Sequence, residues 1–367
     1  MNLREILPKS TVSLFIALIA VFFPVHAVEV SDLYQAEVVV EVTSSGKQKA
    51  AKLAFKKVLV SLSGEKFVNS NKQIKTALAK PNNYLSQFRY SQKNGNTFLL
   101  ASFEENKVNK LLQDSNASIW GKHRPLITVW TIDEQGLERK IIDDSSLTVK
   151  QTITSSARER GLPVNFPLMD LTDTMQVSKS DIWGRFQDRL LNASSRYLAE
   201  AVLIIRISNS TLIEEPDIVM CGRVCKQPLF VADWQLLQNG MVLQNKISAD
   251  DKDKLLTTLI HNVAEQLHQQ NSYVFSNGKK TYLDIEIANV TSMHDFVGVS
   301  EFLTNLTLVS EVKLINVAGE KMLFQLNILA DENAIMQSLK LENSLVENID
   351  PLAQMAEDKQ LSFFWKG

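Results

Sequence analysis

Arg124-Pro125-Leu126-Ile127-Thr128-Val129-Trp130-Thr131-Ile132 is the stretch on which the fold turns. Entered through Pro125, it reads as the first strand of a central α/β domain. Asp133 to Gly136 then reads as a turn and Asp143-Asp144-Ser145-Ser146 as a helix start, where short polar side chains accept bonds from free backbone N–H groups. Gly161 stops that helix after Arg160. Leu162 to Phe166 is a second strand ending at Pro167, followed by a loop through Asp170 and Asp173. A single long helix is expected from Asp181 to Tyr197, with Ile182, Phe186, Leu190 and Ala193 on one face, before the nearly all-apolar strand Ala201 to Ile207. This βαβαβ order is what a buried parallel sheet needs. Residues 218–247 add antiparallel strands and make the sheet mixed.

Outward from this core, Tyr34 to Thr43 alternates apolar and polar residues as a half-buried strand does. Ala51, Phe55, Val58, Leu59 and Leu62 then mark the inner stripe of a helix whose lysines, Lys47, Lys49, Lys52 and Lys56, read as a solvated face. Asn94-Gly95 predicts a hairpin, since both positions tolerate positive φ. Toward the other end, residues 281–367 follow the order βαββαβ, a split βαβ ferredoxin-like unit with Leu361 to Trp365 as an edge strand. The expectation is therefore α/β and α+β architecture in three small modules, at 28–118, 119–272 and 279–367, with a linker from Asn271 to Lys280.

The first residues predict export. Arg4 and Lys9 precede an apolar run from Val12 to Phe23, and Pro24-Val25-His26-Ala27 offers a cleavage site after Ala27. The run is well short of the ~20 residues that span a bilayer, so a cleaved signal peptide and a periplasmic protein without a stable membrane span are expected. The formal net charge of −2 carries no basic excess of the kind nucleic-acid binding needs.

Both cysteines lie in Cys221-Gly-Arg-Val-Cys225. In an oxidising compartment such a pair closes a disulfide; a redox pair would use two intervening residues, and a metal site would want a nearby histidine. His261 and His268 are two helical turns apart, about 10 Å, too far to share a zinc ion unaided. His294-Asp295 reads as a helix start. Asp170 and Asp173 lie past the carboxyl end of a strand, where α/β sheets place ligand groups; they could hold a metal or act as acid and base, or cap the next helix. No phosphate loop, nucleophile elbow, zinc-protease motif or Cys-x-x-Cys is present, so no cofactor is expected.

Tyr34-x-Ala-x-Val-x-Val, Val58-Leu-Val-Ser-Leu-Ser-Gly64, Ile119-Trp120 with Arg124 to Trp130, Arg160-Gly-Leu-Pro-Val164 and Tyr197-Leu-Ala-Glu-Ala201 resemble a secreted gammaproteobacterial family described only as domain of unknown function 2066. The resemblance supplies no activity. In element order the middle domain is distantly similar to the amino-terminal domain of TolB, to penicillin-binding-protein activator lipoproteins and to a flagellar T-ring assembly protein. That similarity implies an envelope interaction module rather than an enzyme, with one or more envelope proteins as partners. The expected interaction surface is the loop after Phe166, with Asp170 and Asp173, and the Trp183 side of the neighbouring helix. The competing expectation is a ligand-binding or hydrolytic site in that same loop.

Overall fold

A computed structural model describes residues 28–29, 33–41, 43–93, 95–209, 211–212, 229–274, 281–306, 308–330, 332–341, 344–348 and 361–367. The signal-peptide residues and the Cys221–Cys225 segment lie outside the described residues. The architecture is mixed α/β and α+β. No described helix is long and apolar enough to cross a membrane.

After a short strand β1 (Val28–Glu29), β2 (Gln35–Val39) leads into helix α1 (Ser44–Ser63). Thr43 caps α1 by accepting from Gly46 N–H, and α1 buries Ala54, Phe55, Val58, Leu59 and Leu62. Two short helices follow, α2 (Glu65–Ser70) and α3 (Lys72–Leu78), because Asn71 turns the chain and caps the second. The hairpin β3 (Leu85–Lys93) and β4 (Asn96–Phe103) forms at Gly95, whose φ is +78°. Helix α4 (Glu105–Asp114) closes this first core, with the sheet in the order β2-β4-β3.

The chain leaves that core at Ile119 and enters the next at Trp120. Two short strands, β5 (Ser118–Ile119) and β6 (His123–Arg124), precede β7 (Ile127–Gln135). β7 runs three residues into the expected turn and folds back as β8 (Glu138–Ile141) about Gly136. The polar residues Asp133 and Glu134 hid that extension. They are buried in the strand because Lys252 and Arg139 pair with them, at 2.7 and 2.9 Å. Helix α5 (Leu147–Glu159) leads to β9, only Val164–Asn165, parallel to β7. The expected loop through Asp170 and Asp173 holds a short helix, α6 (Leu171–Gln176), and the expected long helix is broken into α7 (Lys179–Gly184), α8 (Gln187–Ser194) and a 3-10 turn at Ser195–Tyr197. Strand β10 (Ala201–Ser208) then pairs parallel with β7 on its other side, and β11 (Phe230–Gln238) and β12 (Met241–Ala249) continue the sheet antiparallel. The long helix α9 (Lys252–Asn271) and α5 pack on the face bearing Val129, Leu203, Ile205 and Trp234; α7 and α8 cover Trp130, Ile132, Val202 and Ile204 on the other. Strand parity explains both faces, since alternate side chains of one strand point opposite ways.

After β13 (Tyr273–Val274), which pairs with β5, the last unit is β14 (Thr281–Ala288), α10 (Met293–Asn305), β15 (Val309–Ala318), β16 (Lys321–Ile328), α11 (Glu332–Leu341), β17 (Leu345–Glu347) and β18 (Leu361–Trp365). The sheet order is β15-β16-β14-β18-β17. The final strand is therefore interior, not an edge. It is parallel to β14 and buries Phe363 and Trp365, while the unexpected three-residue β17 takes the edge.

Among the described residues that join the first two cores, Arg124 makes the most bonds. Arg124 is completely buried and directs its five N–H groups at five carbonyl oxygens: Gly121, Arg160, Gly161, Ser61 and Trp120, at 2.7–3.2 Å. Ser61 lies in the last turn of α1, and Arg160 and Gly161 cap α5. The partial negative charge at these two helix ends takes the place of a carboxylate. The Trp120 ring, 4.3 Å away, adds cation–π attraction. Burial lowers the Arg124 pKa to about 9, the nearby charge of Arg160 acting in the same direction.

Gly161 makes the socket possible. Leu162 N–H bonds to Ala157 O and Gly161 N–H to Arg158 O, the Schellman pattern, with φ at +66°. A Cβ there would stand 2.6 Å from Arg124 Nη1 and 2.7 Å from Leu33 Cδ2. Gly161→Ala is expected to cost about 3 kcal/mol, of which the left-handed backbone supplies ~1–2. Chemical denaturation should show this as a shift of the transition reporting the first two cores.

Candidate functional site

The layer formed by α6, α7, α8 and the 3-10 turn carries every sequence-expected interaction residue, and its local geometry is unusual. Among the described residues, six other than glycine have positive φ. Three are asparagines, which tolerate that region. The other three, Met169, Arg185 and Leu198, with φ of 54–56°, all lie in this layer. Each pays a steric cost of ~1–2 kcal/mol for its Cβ, so each has to be held in place by its surroundings.

Met169 is held by carboxylates. Asp170 is the N-cap of α6, accepting from Asp173 N–H at 3.0 Å. Asp173 is fully buried and accepts from Met169 N–H at 2.9 Å, from Arg196 Nη1 at 2.9 Å and from the Tyr197 hydroxyl. Arg196 also forks onto both oxygens of Asp170, each at 2.9 Å. The Tyr197 oxygen in turn accepts from Leu168 N–H at 3.0 Å. Arg196 and the Asp173 N–H hold the Asp170 pKa down to about 2, while burial and the neighbouring carboxylate push Tyr197 up. Leu198, immediately after Tyr197, takes up its left-handed turn where the 3-10 segment ends.

Arg185 ends α7, which begins at a Ser178/Asp181 capping box. Its guanidinium and that of Arg206 converge on Asp233, the residue directly across from Arg206 in the β10/β11 ladder. Arg206 Nη1 also reaches Trp183 O at 2.7 Å. The Trp183 ring is flanked by Arg139, 3.8 Å from its centroid, and Arg206, 5.3 Å. Beneath Arg139, at the carboxyl ends of β7 and β10, Glu134 accepts from Ser208 at 2.6 Å and from Thr211. Burial acts to raise the Glu134 pKa, but these bonds and that from Arg139 outweigh it and bring it to about 2.

Asp170 and Asp173 are thus together, but Trp183 belongs to a separate cluster on α7. Sequence reasoning missed Arg139, Arg196, Tyr197, Arg206 and Asp233, which come from four different elements. Only Arg206, a lone cation in an apolar strand, stood out as a signal. Among the described residues no three His, Cys, Asp or Glu side chains gather as a metal site requires. Among its polar exposed residues the layer also presents several large apolar side chains outward. Leu171 and Met175, one turn apart on α6, are 76% and 79% exposed, with Leu168, Phe186 and Leu198 each more than half exposed nearby in the chain.

The family model for a domain of unknown function, DUF8605, matches residues 27–121, the part that holds the first core. No curated protein matches the chain in sequence. Among solved structures, a competence or damage-inducible protein from Enterobacter asburiae is 10% identical, with 45% of this chain and 94% of that one covered and a TM-score of 0.22. A competence-damaged protein (CinA) superfamily protein from Enterobacter cloacae is 11% identical, covering 45% and 88% at 0.22. A homoserine dehydrogenase from S. aureus is 7% identical, covering 37% and 32% at 0.14. Likenesses this slight assign no function.

Proposed function

We propose that the chain is an exported periplasmic protein that binds one or more envelope proteins through the α6–α8 layer and performs no chemistry of its own. The observation that supports this reading is the pairing of exposed apolar side chains with a backbone held in three left-handed turns. Strain persists only where surrounding bonds over-determine it, and here those bonds hold α6 rigid beneath Leu171 and Met175. A rigid apolar surface loses little entropy on docking. Asp170 and Asp173 support the reading by their partners, since both serve Arg196 and backbone N–H groups of their own loop. A hydrolytic use would require breaking that network first. The signal-peptide pattern supports export, and the resemblance to the family of unknown function 2066 and to envelope modules is part of the same proposal. In that compartment Cys221 and Cys225 would form a disulfide staple.

The test is in-cell photocrosslinking from position 175, with Leu171→Ser as the competing variant. Because Leu171 is exposed, its replacement should change stability by less than about 0.5 kcal/mol. A defined envelope protein should be crosslinked from position 175, and the adduct should fall at least fivefold when Leu171→Ser is added. An adduct pattern unaffected by that substitution, or none at all, would remove this surface from consideration.

A further inference from the structure

Three edge strands of the described sheets have eight residues or more, and they differ in how their outer backbone groups are treated. On β12 the Lys246 N–H is taken by the side chain of Asn245, at 2.8 Å. On β15 the Val317 N–H is taken by Asn316, at 2.9 Å, and two register shifts interrupt the ladder. These devices blunt an edge against pairing. β3 has neither from Gln87 to Lys93. Its register with β4 is unbroken there, and no described residue bonds to its outward backbone groups.

The side chains of β3 match this openness. Phe88 is opposite Ala101 and Tyr90 opposite Leu99, so both point to the face whose β4 residues are buried under α1. Yet Phe88 and Tyr90 are 40% and 44% exposed, because the apolar face runs one strand beyond the helices. Their rings meet edge to face at 5.8 Å, and Lys47 sits 3.9 Å over Phe88. Charge points the same way. Residues 28–118 hold 13 Lys and Arg against 8 Asp and Glu, while residues 119–367 hold 24 against 32. The first module is thus basic on a chain that is otherwise acidic, and Lys47 and Arg89 lie at the open edge.

We propose that β3 is a docking edge for an extended acidic segment of a partner protein. The segment adds as a fourth strand beside Gln87 to Lys93, seats alternate apolar side chains against Phe88 and Tyr90, and places the intervening carboxylates on the opposite face toward Arg89, while Lys47 beside Phe88 adds to the positive charge of the edge. Main-chain bonds supply affinity in such an addition, and the pockets of one face supply selectivity. This edge is separate from the α6–α8 layer and stands or falls independently of it.

The experiment is selection of a phage-displayed random decapeptide library on the full chain, with the Phe88→Ser/Tyr90→Ser full chain as the counter-target. Selected peptides should be net negative with apolar residues at every second position. A synthetic copy of the most enriched one should bind the native chain at least tenfold more tightly than the double variant and slow amide exchange in residues 87–93. Circular dichroism of the double variant should be unchanged, since both side chains lie at the open edge of the sheet and neither belongs to the buried core. Absence of enrichment, enrichment of peptides lacking acid or alternation, or equal binding to both chains overturns the proposal. Binding of phosphatidylglycerol vesicles that needs Phe88 and Tyr90, without any selected peptide, also overturns it and reassigns the edge to a lipid surface.

Discussion

Arg124→Ala is expected to unfold the joint between the first two cores at a cost of about 4 kcal/mol or more. The magnitude follows from what is left behind. Five carbonyl oxygens lose their donor together, and those of Ser61, Trp120, Arg160 and Gly161 face the buried space that the guanidinium fills. A cation in that space is costly to bury, so native stability depends on all five bonds being made at once. Arg124→Lys should rescue little. Lysine keeps the charge but has three donors on a point-like head, and it cannot reach two helix ends in one plane. The measurement is amide exchange in water. Exchange in the last turn of α1 and the last turn of α5 should quicken together in both variants, while the β14–β18 sheet keeps its protection. Native-like protection in Arg124→Ala would show that the helix ends are satisfied in some other way.

The second large effect is at Asp173. Asp173→Ala is expected to cost about 3 kcal/mol by stranding the Tyr197 hydroxyl and the Met169 N–H and by leaving Arg196 only Asp170 as a carboxylate partner. Asp173→Asn separates these contributions. An amide oxygen in the place of Oδ2 keeps the bonds from Met169 and Tyr197, while its NH2 faces Arg196 in place of Oδ1. It should therefore lose only about 1 kcal/mol, that of an ion pair whose arginine is one third exposed. Urea unfolding of the two variants reads the difference directly. If Asn proves as damaging as Ala, the charge rather than the loop anchoring holds α6 in place.

The element order of the first and last modules was legible in the chain because period-two and helical patterns are strong there. Of the features that escaped, three have clear physical reasons. The β7–β8 hairpin was hidden by Asp133 and Glu134, whose burial is made tolerable by partners 5 to 119 residues away. The broken helix between Asp181 and Tyr197 kept a helical apolar period through Ile182, Phe186, Leu190 and Ala193, so nothing local announced that Arg185 turns left-handed. β17 is three residues long, too short to show a period. For the candidate site, Asp170 and Asp173 were visible as a pair, but their role depends on Arg196 and Tyr197, which return to them from another element. Several of the sequence motifs have a structural meaning as well. Ser61 and Leu62, Trp120 and Arg124, and Arg160 and Gly161 all meet at one joint.

That joint bears on the order in which the chain can mature. The last carbonyls of α1 belong to residues made early. Their partners arrive 63 positions later at Arg124 and 206 positions later at His268, whose Nε2 lies 3.2 Å from Leu62 O. Until both have been synthesised, the end of α1 lacks part of the set of groups that its last carbonyls meet. The opening third of the polypeptide must wait, incompletely closed, for residues beyond the middle of the chain, and a truncation before α9 would leave that end exposed to proteases.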